Sequence, residues 1–288
     1  MLSNKNFKKA EVYLLGGFIT IAVLIWVPVL SFSQDYVLEV NFFDIGQGDA
    51  IFIEAPGGSQ VLIDGGPDST ILEKLGQELP FYDREIDLVI LTHPDADHLS
   101  GLIEVLKRYK IDAVLITGVA SDTNVYKEWQ TVLEKEGAKI IIAQAGQRVW
   151  LGEDIYLDIL YPFQNLEDKV VSNTNNSSIV SRLVFGENSF LFTGDAEFAA
   201  EYDLVSRDID IDSDILKIGH HGSKNSTSQR FLEAITPEIA VIQAGKNNKY
   251  GHPHEDVLKR LKGINILRTD LDGDIEILSD GINIGFSQ

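Results

Sequence analysis

The pattern of apolar and polar positions divides the chain in two. From Val12 to Phe32 it is apolar apart from Thr20 and Ser31, about the length that crosses a bilayer core. Beyond it, short strands and helices take over. Tyr36–Phe43 alternates and predicts a strand, and Ala50–Glu54 and Gln60–Ile63 predict two more, joined by the turn Pro56-Gly57-Gly58. Asp64-Gly65-Gly66-Pro67 ends the third, and helical spacing follows from Ser69 to Leu79. The apolar run Asp87–Leu91 fits a strand buried on both faces. It ends at Thr92-His93, before a helix from Leu99 to Tyr109. Strand Ala113–Ile116, helix Asn124–Glu136 and strand Lys139–Ala143 continue the alternation. Ile155–Leu160, Ile179–Phe185 and Ser189–Phe192 read as antiparallel strands, followed by a helix at Glu197–Ser206. Strand Ile215–Ile218, helix Ser228–Ala234, strand Ile239–Gln243, helix Glu255–Leu261, strand Ile264–Leu267 and a hairpin complete the chain. This order predicts an α/β protein with two sheets packed face to face and helices outside. No linker interrupts it, so residues 34–288 are expected to form one domain after a tail and anchor over 1–33.

Charge orients the anchor. Lys5, Lys8 and Lys9 precede the apolar run and no Lys or Arg follows closely, so the positive-inside rule puts the N-terminus in the cytoplasm and the rest outside the membrane. A cleaved secretion signal is the rival reading, with Ser31-Phe32-Ser33 as a poor cleavage site. A buried core helix would need burial on every side.

Composition narrows the function. The 288 residues are 44% hydrophobic and contain no Cys, which excludes global disorder, a disulfide scaffold, a thiolate metal site and a Cys nucleophile. With 24 Lys+Arg against 44 Asp+Glu the net charge is -20, which argues against a general nucleic-acid coat.

The six histidines fall into three short clusters. In His93-Pro94-Asp95-Ala96-Asp97-His98, four potential ligands occupy the carboxyl end of a buried strand, where one turn can aim them at a divalent cation; this donor set suits Zn²⁺ or Mn²⁺. The structural alternative is a polar turn with Asp97 as the N-cap of the next helix. Phe192-Thr193-Gly194-Asp195 ends another strand, and beside the first cluster Asp195 is a candidate to bridge two metals. In Gly219-His220-His221-Gly222-Ser223, adjacent side chains are expected to leave the strand end in opposite directions. One of the pair then ligates, His221 being favoured, with His220 behind it or on the substrate. Gly222 and Ser223 could offer donors to an oxyanion or phosphate. The loop Asn247–His254 combines Lys249, Tyr250 and His252, a composition suited to phosphate contact and leaving-group protonation, or simply a surface turn.

These residues resemble the metallo-β-lactamase superfamily. Asp64, the His93–His98 run, Asp195 and His220-His221 stand in that superfamily's order. The match is closer to the hydrolase domain of ComEC/Rec2-type competence proteins, through Phe43–Ala50, Leu62–Gly66, Thr92–Gly101, Phe192–Asp195, His220–Ser223 and Tyr250–Pro253. The resemblance covers residues 36–288 and implies a four-layer αβ/βα sandwich, a metal site at one edge, and hydrolysis by a metal-bound hydroxide. There are two departures from the superfamily pattern. The usual second His is Asp95, and no His lies between His98 and His220, so Asn175, Asn176 and Ser177 are candidates for the gap. The site is therefore oxygen-rich, with one or two ions of Zn²⁺ or Mn²⁺. The transport half of a competence channel is not expected here, which leaves room for a separate channel protein as partner.

The expected metal set is His93, Asp95, Asp97, His98, Asp195 and His221, with His220 beside it. Asp97, His252 (leaving-group acid) and Asp64 (orienting a ligand from behind) are the expected catalytic residues. Ser223, Lys224, Asn176, Lys249 and Tyr250 are the expected substrate contacts. Between Ile215 and Asp270, nine Lys/Arg face five acids, so a phosphodiester, DNA included, is the favoured substrate. No aromatic stacking platform for bases is apparent. The expected activity is that of a membrane-anchored phosphodiesterase or nuclease. An esterase or lactonase on the same fold and a non-catalytic binding module are the alternatives.

Overall fold

The structure is a computed structural model that describes residues 13–23 and 36–286. The chain groups into two units, Met1–Tyr36 and Val37–Gln288. In the first, residues 13–23 form a helix, α1, whose residues are exposed. The remainder of the apolar run Val12–Phe32 lies outside the described residues. Among the described residues no helix is long and apolar enough to cross a membrane.

The second unit starts with strands β1 (Leu38–Phe42), β2 (Ile51–Glu54) and β3 (Gln60–Ile63), then α2 (Thr70–Glu78), β4 (Glu85–Leu91), α3 (Ala96–Leu106), β5 (Lys110–Ile116), α4 (Asn124–Glu136) and β6 (Lys139–Ile142). Strands β7 (Arg148–Trp150), β8 (Ile155–Tyr161), β9 (Val180–Phe185) and β10 (Asn188–Phe192) lead into α5 (Phe198–Ser206) and β11 (Ile215–Lys217). The chain ends through α6 (Gln229–Ile235), β12 (Ile239–Ile242), α7 (Glu255–Arg260), β13 (Asn265–Arg268), α8 (Thr269–Asp272), β14 (Ile275–Ser279) and β15 (Ile284–Phe286).

Alternation along the strands builds the layers. In β2, Ile51 and Ile53 enter the core between the sheets while Phe52 points outward beneath the helices. In β10, Phe190 and Phe192 face the shared core while Leu191 packs with Leu204 of α5 and Phe231 of α6. On the other side Leu75 of α2, Leu102 of α3 and Trp129 of α4 cover Leu62, Val89 and Val114. The result is helices, sheet, sheet, helices, as the alternation predicts. The first sheet runs β15-β14-β1-β2-β3-β4-β5-β6 and the second β13-β12-β11-β10-β9-β8-β7. The terminal hairpin therefore returns to the first sheet, where β14 pairs antiparallel with β1.

Three local differences from the sequence reading stand out. Helix α3 begins at Ala96 rather than Leu99, so Asp97 and His98 belong to its first turn. Its N-cap position is Asp95, not Asp97, and the Asp95 side chain makes no capping bond. Strand β7 was not anticipated. Helix α3 also needs Gly101, since a Cβ there would stand 1.8 Å from the carbonyl oxygen of Gly65. That contact seats the helix on the turn that follows β3. Gly101→Ala should destabilise the fold by about 1–3 kcal/mol or more, the usual range for forced overpacking. A denaturant titration showing an unchanged midpoint would contradict this close packing.

Candidate metal centre

Strands β3 and β4 are parallel, as are β10, β11 and β12. Their carboxyl ends deliver Asp64, His93, Asp195 and the His220-His221 turn to one edge of the sandwich, the usual place for a site in such sheets.

Hydrogen bonds set the tautomer of three buried imidazoles. Asp64 holds a left-handed backbone at φ 58°. Its carboxylate accepts from the Thr92 N–H at 2.8 Å, the Thr92 hydroxyl at 2.7 Å and Nδ1 of His98 at 2.7 Å. Because the Thr92 hydroxyl spends its proton on Asp64, it accepts from Nδ1 of His93 at 3.0 Å. Nδ1 of His221 donates to the carbonyl of Gln243 at 3.0 Å. In each ring Nδ1 carries a proton, so Nε2 is the nitrogen available to a ligand. All three Nε2 atoms, with Oδ1 of Asp195, are buried and have no hydrogen-bond partner.

These atoms converge on Asp195. Its Oδ1 is 3.4 Å from Nε2 of His98, and its Oδ2 is 3.5 Å from Nε2 of His221 and 4.0 Å from that of His93. Asp97 Oδ2 stands 3.5 Å from Nε2 of His221. Asp95 lies at the rim, 3.8 Å from Nε2 of His93 and 41% exposed. His93, His98 and Asp195 form one group able to hold an ion, and Asp97, His98 and His221 another. Buried polar atoms normally find partners. A ring of orphaned donor atoms at this spacing fits a divalent cation with bonds near 2 Å.

Electrostatics divides the rings. Burial pushes His93 down to about 4, reinforced by the charge of His98. Burial opposes the same charge on His98 and His221, yet Asp195 and Asp64 raise His98 well above its usual range, and Asp195 and Asp49 raise His221 to about 9. The Asp195 carboxyl is held well below its ordinary range, since His221 and His98 overcome its burial. Burial opposes the charge on Asp97 too, but the neighbouring His221 ring and the charge of His98 hold it below its ordinary range.

The His220-His221 pair departs from expectation. The two residues follow β11 in a turn rather than on a strand, at φ 48° and 54°, with Gly222 at φ 83°. Left-handed backbone costs roughly 1–2 kcal/mol per non-Gly residue, and strain of this kind concentrates at functional sites. Both rings consequently reach the same carboxylate rather than opposite sides. His221 is buried, whereas Nε2 of His220 is 3.7 Å from Asp195 while its Nδ1 meets Glu197 at 3.2 Å and Asn175 at 3.2 Å. His220 thus stands at the rim.

The outer residues are placed unevenly. Asn176, expected at the substrate, uses its Oδ1 to accept from the N–H groups of Glu197 and Ala200 at the start of α5. Near the position of the absent histidine, Ser178 Oγ approaches Nδ1 of His93 at 3.3 Å and accepts from the Asp195 N–H at 3.1 Å. Ser223 is buried and its N–H bonds His220 within the turn. Lys224, Lys249 and Tyr250 are exposed, and Tyr250 stacks on His252 at 5.8 Å. The His252 ring lies 5.6 Å from that of His220 and 6.3 Å from that of His221. Burial, with His221 and His220, pushes His252 down to about 4, so at neutral pH it is a neutral imidazole. Not singled out from the sequence were Thr92, Ser178, Gln243, Asp49 and Lys217. A Lys in the middle of an apolar strand signal was the one available cue.

A His- and Asp-lined centre at the edge of an αβ/βα sandwich defines a class, and residues 43–246 match it: the chain belongs to the metallo-beta-lactamase superfamily. Within it, the competence-related ComEC/Rec2 proteins are its relatives. The ComE operon protein 3 of Bacillus subtilis is 37% identical over 258 residues, covering 83% of this chain and 32% of that protein. Recombination protein 2 of Haemophilus influenzae is 33% identical over 247 residues, covering 83% and 28%. The chain thus spans about a third of the length of these relatives. Among solved structures, the metallo-beta-lactamase fold protein YhfI of Bacillus subtilis shares the fold at a TM-score of 0.59 and 14% identity, over 85% of this chain and all of that one. The metallo hydrolase Igni18 of Ignicoccus hospitalis does so at 0.52 and 15%, over 83% of this chain and 98% of that one.

Proposed function

We propose that the chain is a divalent-cation-dependent phosphodiesterase acting on DNA or another phosphodiester, tethered to a membrane through the Val12–Phe32 segment with the hydrolase domain outside the cytoplasm. The observation that carries the hydrolase reading is the convergence of three bare, buried Nε2 atoms on Asp195. His93, Asp97, His98, Asp195 and His221 would hold the cation, with Asp95 at the rim. When bound, a cation there supplies Lewis acidity and lowers the pKa of water. The protein's own part is orientation: Asp64 fixes His98 and Thr92, and Thr92 fixes His93. His252, neutral at the rim, is placed to hydrogen-bond a leaving oxygen.

The phosphodiester preference rests on the rim's charge. Of the nine basic residues between Ile215 and Asp270, Lys217 is buried against Asp49, Arg268 pairs with Asp270, and Lys259 pairs with Glu255. Lys224, Arg230, Lys246, Lys249 and Lys262 are exposed, Lys224 and Lys249 on the loops that carry His221 and His252. The names of the relatives, competence and recombination proteins, favour DNA over other phosphodiesters. The test is cleavage of single- and double-stranded DNA by the purified protein with Mn²⁺ or Zn²⁺, beside a neutral acyl ester. Cation-dependent DNA cleavage that weakens with salt is expected. Salt-indifferent ester hydrolysis with intact DNA would support the esterase reading instead. Lys224→Ala or Lys249→Ala should each lower the log–log salt slope of DNA binding by about one, measured by fluorescence anisotropy.

Cation binding should also release protons. With its pKa raised to about 9, the His221 ring is mostly protonated at neutral pH in the metal-free protein, and His98 is raised as well. Both must lose a proton at Nε2 to ligate. Apparent affinity is therefore expected to fall as pH falls, by about tenfold per pH unit for each proton displaced. Calorimetry in buffers of different ionisation enthalpy reads the proton count directly, and a count of zero at pH 7 would refute this assignment.

A further inference from the structure

Lys217 ends β11 in the interior of the second sheet, and its side chain is fully enclosed. Lysine is almost never buried unless paired. Its Nζ donates to Oδ2 of Asp49 and, at 3.1 Å, to the carbonyl of Gly194, the residue before Asp195. Asp49 arrives from the other sheet, on the loop between β1 and β2. Gly48 permits the approach: at φ 146°, a Cβ on it would stand 2.1 Å from the carbonyl oxygen of Asp97. The loop is thus pressed against the turn that carries the candidate ligands.

Held there by Lys217, Asp49 lies behind two of the three rings. Its Oδ1 is 3.2 Å from Nδ1 of His221 and its Oδ2 is 3.9 Å from Nδ1 of His98. Oδ1 is buried and has no hydrogen bond of its own, so it faces the proton that His221 donates to Gln243. Two acceptors therefore surround that proton, whereas Nε2 faces the candidate ligands Asp97 and Asp195, each at 3.5 Å, across the space an ion would fill. Because the pair is neutral as a unit, it orients the ring without adding net charge to the centre.

We propose that the Asp49–Lys217 pair is a positioning device for the cation centre: Lys217 locks Asp49 behind His221, keeping the ring proton on Nδ1 and Nε2 turned to the ion. This rests on the cation-centre reading above. An ion pair that merely tied the sheets together could be exchanged for apolar side chains with no effect on the ion.

The experiment is calorimetric titration of the full chain with MnCl₂ and with ZnCl₂, comparing wild type with Asp49→Leu/Lys217→Met, beside thermal unfolding without metal. Removing both charges together leaves neither unpaired, so the double variant should fold. It should bind either ion about 10–100-fold more weakly, the usual cost of losing a group that orients a ligand. A folded double variant with wild-type affinity overturns the proposal. Should it fail to fold, ¹⁵N shifts of the histidine rings in the Zn²⁺-loaded wild type decide: a proton on Nδ1 of His221 supports the proposal, and one on Nε2 overturns it. If wild type binds neither ion, the centre itself fails, and the proposal with it.

Discussion

Asp195→Asn is expected to cost roughly a thousandfold in kcat/KM, equivalent to about 4 kcal/mol of transition-state stabilisation, and to strip the centre of its cation. The substitution changes the shape of the side chain very little. It removes the charge toward which His98, His221 and His93 all point, at 3.4, 3.5 and 4.0 Å. It also gives the side chain an amide NH₂, which cannot ligate. Without the carboxylate His98 and His221 lose one of the charges that hold their protons, and in the metal-free protein their pKa values are expected to fall. Elemental analysis and DNA cleavage on the same preparation check this. A variant that kept both metal and rate would place the chemistry elsewhere.

Lys217→Met is expected to destabilise the metal-free protein by about 3–5 kcal/mol, the usual cost of leaving one member of a buried ion pair alone. The stranded group is Asp49, whose carboxyl sits below its ordinary range because Lys217 and His221 outweigh its burial. Adding Asp49→Leu should recover most of the loss, since a buried pair is often replaceable by apolar residues of similar volume. Denaturant midpoints of the wild type, the single variant and the double variant form the cycle. A single variant as stable as wild type would mean that the pair carries no charge.

The layers of the sandwich could be read from the chain because period-two alternation is a local property. Ile51, Phe52 and Ile53 declare their faces without reference to any distant residue. Strand β7 escaped for the opposite reason: Arg148, Val149 and Trp150 are too few to show a period, and none is buried. The start of α3 was placed late because Asp97 and His98 read as ligands rather than as a first helical turn. In the site, the His and Asp clusters were visible as sequence neighbours. The Asp49–Lys217 pair spans 168 positions, and its one local trace is a lysine set in an apolar strand. A lysine beside β-branched residues counts as surface charge until the fold encloses it. The directions of His220 and His221 were misjudged because left-handed backbone at two successive histidines is something that only tertiary contacts can impose.

The pairing of β14 with β1 has a consequence for biosynthesis. Leu38 to Phe42 leave the ribosome long before their partners Ile275 to Ser279. Until then one side of β1 presents open backbone groups, a template for pairing with another chain. A ribosome stalled anywhere between those points would carry a nascent product whose histidine clusters are already translated but whose first sheet remains unclosed.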